Sequence, residues 1–140
     1  MLLPQPASSA IIQRGDRVLL VRRINPPSQD MYAFPGGRGE PGETPEETAL
    51  RELLEETGIT AHHPQLFATY DLPSRDPDGR VTSHFFLSVF LVQADKEAAA
   101  LAADDAADAG WFTLEDIRRL PAPDSVVECA ERLLGQLHES

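Results

Sequence analysis

The chain has 140 residues, with 23 Asp+Glu against 12 Lys+Arg and a formal net charge of −11, a length that suits one compact domain over 1–140. Its 41 % apolar and 25 % charged residues describe an ordinary globular chain and not a disordered one. So acidic a balance argues against binding nucleic-acid polymers or an anionic membrane surface, leaving either a solubility coat or a concentrated set of metal-binding carboxylates.

In chain order, the first strand is expected over Ser8 to Arg14, ending at the turn Arg14-Gly15-Asp16-Arg17, and the second over Val18 to Arg23. The second is apolar on both faces until its end, the pattern of a strand covered on both sides. Ala33-Phe34 is at most a short strand before Pro35-Gly36-Gly37. Thr44-Pro45-Glu46-Glu47 is a capping box with proline at the first helical position, so a helix should run to Thr57 and stop at Gly58. Strands follow at Gln65 to Asp71 and Val81 to Gln93, joined by a loop over Pro73 to Arg80, and Ala94 to Ala109 reads as loop or short helix. A strand near Gly110 to Phe112 leads to a helix capped by Thr113, then to a last helix capped near Ser125 with Glu128 completing its box. Helices flanking strands favour an α/β sandwich.

Cys129 is alone, which removes an intrachain disulfide and a multi-cysteine zinc site. On the last helix it reads as a small buried hydrophobe. The N-terminus lacks the pattern of a signal peptide, and the longest nearly apolar run, Phe85 to Val92, is too short to span a bilayer. A cytoplasmic location is the expectation.

The chemistry concentrates on the first helix. With roughly 100° per residue, Glu55 lies about 60° to one side of Glu52 and Glu56 about 40° to the other. Three carboxylates thus share one face, and Leu50, Leu53, Leu54 and Thr57 form the opposite, core-facing stripe. Like charges at this spacing repel, so something positive should sit among them. A hard divalent cation fits, with Glu43 and a backbone carbonyl of the Gly-rich loop in reach. The alternative is a solvated acidic face with Glu47–Arg51 as an i,i+4 ion pair.

The stretch Gly37-x5-Glu43-x7-Arg51-Glu52-Leu53-x-Glu55-Glu56-x-Gly58-Ile59 resembles the signature of the Nudix hydrolase family at all nine specified positions of 23 residues, 37–59. Val18-Leu-Leu-Val-Arg-Arg and Trp111-Phe-Thr-Leu-Glu-Asp-Ile resemble the family's flanking elements. Gly39 departs from the aliphatic residue often found there, which should loosen the loop without removing a ligand. The resemblance implies a Nudix-type α/β/α sandwich with a central mixed sheet that hydrolyses a nucleoside diphosphate linked to another moiety. By the match, Glu52, Glu55 and Glu56, with the Gly37 carbonyl, would bind Mg²⁺ or Mn²⁺, and Arg51 would orient a glutamate such as Glu43. Glu55 or Glu56 is the first choice of general base, with Asp95, Glu97, Asp104 and Asp105 in a later loop as alternatives. Members of the family often form homodimers, but no interface is legible here.

For the substrate, Arg22 or Arg23 at the end of the second strand could reach a phosphate. Tyr32 and Phe34 could stack on a base or ribose, although an aromatic beside a short strand more often packs in the core. Arg75 and Arg80 lie in a loop whose simpler reading is a hairpin turn. Arg75-Asp76-Pro77-x-Gly79 and Asp104-Asp105-Ala106-Ala107 resemble the branch assigned to ADP-ribose and related nucleotide sugars. The rivals are the same chemistry on a (deoxy)nucleoside triphosphate, and a non-catalytic nucleotide-sensing module, which the intact box disfavours. From Arg38 to Glu56 there are seven acids and two arginines, and from Asp95 to Asp108 five acids and one lysine. The acidity is therefore local to the proposed metal site and one following loop.

Overall fold

A computed structural model of the chain describes residues 3–24, 30–95 and 106–135. It contains β1 (Gln5–Ile11), β2 (Gln13–Arg14), β3 (Arg17–Arg23), β4 (Tyr32–Ala33), β5 (Gly36–Arg38), α1 (Pro45–Thr57), β6 (Ala61–Arg75), β7 (Val81–Ala94), β8 (Ala106–Thr113), α2 (Leu114–Arg119) and α3 (Asp124–Leu134). One sheet has the order β5-β1-β7-β6 and is mixed: β1 is parallel to β7, whereas β5 and β6 run antiparallel to their neighbours. In the other, β3 pairs with β2 and β4 along one edge and with β8 along the other.

The period-2 alternation of β1, β3 and β7 divides the core in two. Ile11, Val18, Leu20 and Val89 meet Leu114, Ile117, Val126, Cys129 and Leu134 of α2 and α3 in one cluster. Ala10, Ile12, Leu19, Phe90 and Val92 meet Ala49 and Leu53 of α1 in the other. The second predicted strand is therefore buried on both faces, and helices cover the sheets on both sides, as an α/β/α sandwich requires. Cys129 is fully buried, and burial raises its thiol pKa, so it is a packing residue and not a thiolate. No helix among the described residues is long and apolar enough to cross a membrane.

Several boundaries differ from expectation. β1 begins before Ser8 because Gln5, Pro6 and Ala7 extend the ladder with Phe85, Phe86 and Leu87, although their exposed side chains carry no hydrophobic signal. β5 was not anticipated: its glycines read as loop, yet Gly36 lies so close to β1 that a Cβ would stand 2.4 Å from the Ser8 carbonyl oxygen. β6 runs well beyond Gln65–Asp71 and takes in Pro64 and Pro73, which an edge strand tolerates because its outer donors need no partner. The last helix starts from Pro123 without a side-chain cap, so Ser125 is inside it and does not cap it. The segment 96–105, and with it Glu97, Asp104 and Asp105, lies outside the described residues.

Helix α1 forms as its capping box dictates. Thr44 Oγ1 accepts the Glu47 N–H, the Glu47 carboxylate accepts the Thr44 N–H, and Gly58 closes the helix in the left-handed region at φ 75°. Its buried face keeps Leu53 and Thr57 of the predicted stripe, with Leu50 packed against the core, but departs from it at Leu54 and Glu56. Thr48, Ala49, Leu53, Glu56 and Thr57 are buried, while Leu54 is 49 % exposed. Glu47 serves the cap and does not pair with Arg51. Leu53→Ala should therefore cost about 2–5 kcal/mol, whereas Leu54→Ala should stay within about 0.5 kcal/mol of the parent. Denaturant midpoints of the two variants check this, and equal losses would contradict the observed helix face.

Candidate active site

The rotation of α1 that buries Leu53 brings Arg51, Glu52 and Glu55 to the side facing β5 and the loop after it, where one guanidinium gathers them. Arg51 donates from Nε to Glu43 Oε2 at 2.7 Å and from Nη2 to Glu43 Oε1 at 3.0 Å, a bidentate grip. Its Nη1 donates to Glu52 Oε1 at 2.9 Å and to Glu55 Oε2 at 3.1 Å, and Nη2 also donates to the Arg38 carbonyl at 3.0 Å. Glu40 lies 3.6 Å away. The positive group that the clustered carboxylates demand is thus supplied by the chain itself.

Glu43 is the best-held carboxylate of the set. Besides Arg51 it accepts the Thr48 hydroxyl at 2.6 Å and the Glu40 N–H at 3.0 Å. Arg51 and then Thr48 pull its pKa down to about 2, against a smaller opposing effect of burial. The reciprocal effect, led by Glu43, raises the pKa of Arg51. Glu40 and Thr48 escaped the sequence reading. Thr48 could have been noticed as a hydroxyl on the turn of helix that follows Glu43.

Two close approaches bind the helix to β5. Gly37 pairs with Ser8 of β1, which pairs with Ser88 of β7, so small residues form a row across the sheet. A Cβ on Gly37 would meet the Glu52 carboxylate at 2.6 to 2.8 Å, so a side chain there would displace that carboxylate from its present place. Glu56 is 1 % exposed, which corrects the expectation that the whole carboxylate face meets solvent. Its Oε2 accepts the Gly36 N–H at 2.7 Å and its Oε1 lies 3.5 Å from Arg23 Nη1, which also donates to the Gly36 carbonyl at 3.4 Å. A carboxylate this deep needs such partners to offset its desolvation.

Glu52, Glu55, Glu56 and the Gly37 carbonyl are all-oxygen donors, the kind that a hard divalent cation takes. The missing side chain at Gly37 lets the Glu52 carboxylate lie directly against β5, beside the Gly37 backbone. The donors fit such an ion in kind. As the side chains stand, no three acidic, histidine or cysteine groups among the described residues converge on one point, because Arg51 holds Glu52 and Glu55 while Gly36 and Arg23 hold Glu56.

The remaining candidates divide. Arg22 pairs with Asp30 at 3.2 Å on the surface, and Arg23 serves Glu56. Phe34 is 4 % exposed and belongs to the core cluster, so it offers no ring face to a ligand, and Tyr32 packs edge-on against Phe112 at 5.5 Å. Arg75 donates to the Gly79 carbonyl, and the Arg80 N–H donates to Asp76, so both maintain the hairpin tip. The carbonyl of Asp95 accepts from Arg14, which stacks 4.1 Å from the centre of the Trp111 ring.

The depressed pKa of Glu43 has a stability consequence. Its stabilisation is complete above the ordinary carboxylate pKa of 4.5 and is lost as the pH falls towards about 2. The difference in unfolding free energy between parent and Glu43→Gln should therefore shrink as pH is lowered through that window. Urea titrations across it check this, and a pH-independent difference would show that the Arg51 pair does not set the pKa.

A family model described as the NUDIX domain matches residues 3–133. An ADP-ribose pyrophosphatase of Methanocaldococcus jannaschii is 38 % identical over 119 residues, covering 85 % of this chain and 68 % of that protein. An 8-oxo-dGTP diphosphatase of Escherichia coli is also 38 % identical, over 84 residues that cover 59 % of this chain and 64 % of its own. Among solved structures, a MutT NUDIX hydrolase from Burkholderia pseudomallei superposes with a TM-score of 0.79 at 26 % identity, covering 94 % and 99 % of the two chains. A match of this extent, on a fold that delivers Arg51, Glu52 and Glu55 to one point, establishes that the chain belongs to the Nudix family of hydrolases, which act on pyrophosphate bonds of nucleotide derivatives and generally need divalent metal ions.

Proposed function

We infer that the preferred substrate is ADP-ribose or a similar nucleotide sugar, cleaved at its pyrophosphate bond with Mg²⁺ or Mn²⁺. The observation that carries this is the likeness to the M. jannaschii ADP-ribose pyrophosphatase over 85 % of the chain. A (deoxy)nucleoside triphosphate is the second reading, favoured by the E. coli 8-oxo-dGTP diphosphatase, whose match is equally identical but covers only 59 % of the chain.

Glu52, Glu55, Glu56 and the Gly37 carbonyl are the groups proposed to hold the cation. Once bound, such an ion neutralises diphosphate oxygens and lowers the pKa of the attacking water. The protein's own contribution is positioning and electrostatics, which phosphoryl transfer chiefly needs. Arg51 fixes Glu43 and Glu52 and thereby the entry into α1. Glu56 is anchored by the Gly36 amide and Arg23, a poor position from which to receive a proton from solvent-borne water. Glu55 is 44 % exposed along its side chain and has one oxygen on Arg51, so it is assigned as the general base.

Glu55→Gln should lower kcat by about 10²- to 10⁴-fold with an unchanged thermal midpoint, since its side chain is half in solvent. Steady-state kinetics and a melting curve on the same preparation decide, and wild-type turnover would remove Glu55 from the mechanism. EDTA should stop hydrolysis, with Mg²⁺ or Mn²⁺ restoring it. A substrate panel with product identification tests the substrate: AMP plus ribose 5-phosphate from ADP-ribose supports it, and faster release of pyrophosphate from a triphosphate selects the second reading.

A further inference from the structure

Of Arg22, Arg23, Arg38 and Arg51, which lie nearest the site along their elements, three are committed to carboxylates. Arg22 holds Asp30, Arg23 holds Glu56, and Arg51 holds Glu43, Glu52 and Glu55. Arg38 is the exception. Its side chain is exposed, pairs with no carboxylate among the described residues, and stacks 5.2 Å from the centre of the Phe85 ring. Its backbone is nevertheless fixed, by the ladder to Ala7 and by Arg51, which donates to its carbonyl. Among the described residues this is a cation fixed at its backbone whose N–H donors meet no acceptor.

Arg38 and Phe85 line a hollow of about 190 Å³ together with Leu3, Gln5, Thr82 and Ser83. Whole small-molecule sites usually measure about 300–1,000 Å³, so this volume suits one part of a ligand. The side chains of Gln5 and Ser83 make no hydrogen bond to another described residue and can serve hydroxyl groups. A guanidinium with free amide and hydroxyl groups beside it matches a sugar phosphate better than an aromatic base.

Arg38 also lies next to the carboxylates in the chain. Gly37 faces Glu52, and along an extended strand the next residue, Arg38, faces the other side about 3.3 Å further on. Among the described residues β5 ends the sheet, and no further strand pairs with its outer side. Arg38 is thus one residue along the strand from the glycine that faces Glu52, so a substrate has to straddle this edge to meet both.

Building on the proposed nucleotide-sugar substrate, we propose that Arg38 and the hollow it shares with Phe85 bind the sugar-phosphate half of the substrate, with Arg38 donating to its phosphate. Arg38 is then a specificity-determining residue, in place of Arg22 and Arg23. The test titrates ribose 5-phosphate and, separately, AMP into the intact protein with Mg²⁺ present, following backbone amide shifts by NMR. Ribose 5-phosphate should shift the amides around Phe85 and Arg38, and Arg38→Ala should weaken it about tenfold or more, as loss of a charged hydrogen bond implies. Arg38→Lys should recover part of that loss, and AMP affinity should change less than twofold, on the order of a rim contact. Failure of the wild type to bind ribose 5-phosphate at the hollow, or a loss confined to AMP, overturns the proposal. The result stands apart from the substrate panel: Arg38-dependent binding of ribose 5-phosphate keeps the subsite even if a triphosphate is the faster substrate.

Discussion

The loop and the outer carboxylates of this site hang on one guanidinium. Five acidic side chains, Glu40, Glu43, Glu52, Glu55 and Glu56, are brought close by a loop and the helix that follows it, and their mutual repulsion would open the loop unless it were countered. Arg51 counters it from inside the cluster, bridging the loop through Glu43 and the Arg38 carbonyl and the helix through Glu52 and Glu55. Because each contact is a hydrogen bond with its own direction, the side chain neutralises charge and sets geometry together. A lysine, with a single ammonium on a flexible stem, could supply the charge without the fork.

Glu56 answers a different constraint. It is buried on the face of α1 that touches the sheet, where a hydrophobic residue would satisfy packing alone. Its place there is made tolerable by the Gly36 amide and Arg23, and the cost of that arrangement falls on β5, whose glycines must let the chain pass close to both β1 and the helix. The carboxylates are thus not equivalent. One is structural in its surroundings, one is cradled against a glycine, and one faces water, a gradation of environment that allows identical side chains to take different chemical parts.

How far the sequence could be read depended on the range of the interactions involved. Helix α1 was legible to the residue because Thr44, Glu47 and Gly58 act locally on the backbone. The Arg51–Glu43 contact was legible only through the family resemblance, since eight residues and a turn separate the partners. The helical wheel placed Glu52, Glu55 and Glu56 together and put Leu53 and Thr57 on the buried side, but erred at Glu56 and Leu54. A wheel weighs side-chain polarity and cannot see that Gly36 offers a donor to Glu56 while Leu54 stays half-exposed. β5 was invisible for a related reason: its glycines signal a loop by composition and serve as a strand by contact. Phe34 followed the ordinary rule for aromatics beside short strands. Arg38 carried no signal beyond its charge, and its distinction from Arg22 and Arg23 emerged only when their partners were known.

The length of β6 has a consequence outside catalysis. A strand of 15 residues that pairs on one side only among the described residues presents a long row of backbone donors and acceptors, a template on which another chain can assemble. Pro64 and Pro73 interrupt that row by removing an N–H at each, and the register breaks near Pro64 add a kink. Between them, residues 65–72 hold Leu66 and Leu72 at the surface with Asp71 as their one charge. Colloidal behaviour of the folded protein therefore rests on a short stretch guarded by two imino acids and a single carboxylate, while the chain's acidity, gathered elsewhere, gives this rim little local repulsion.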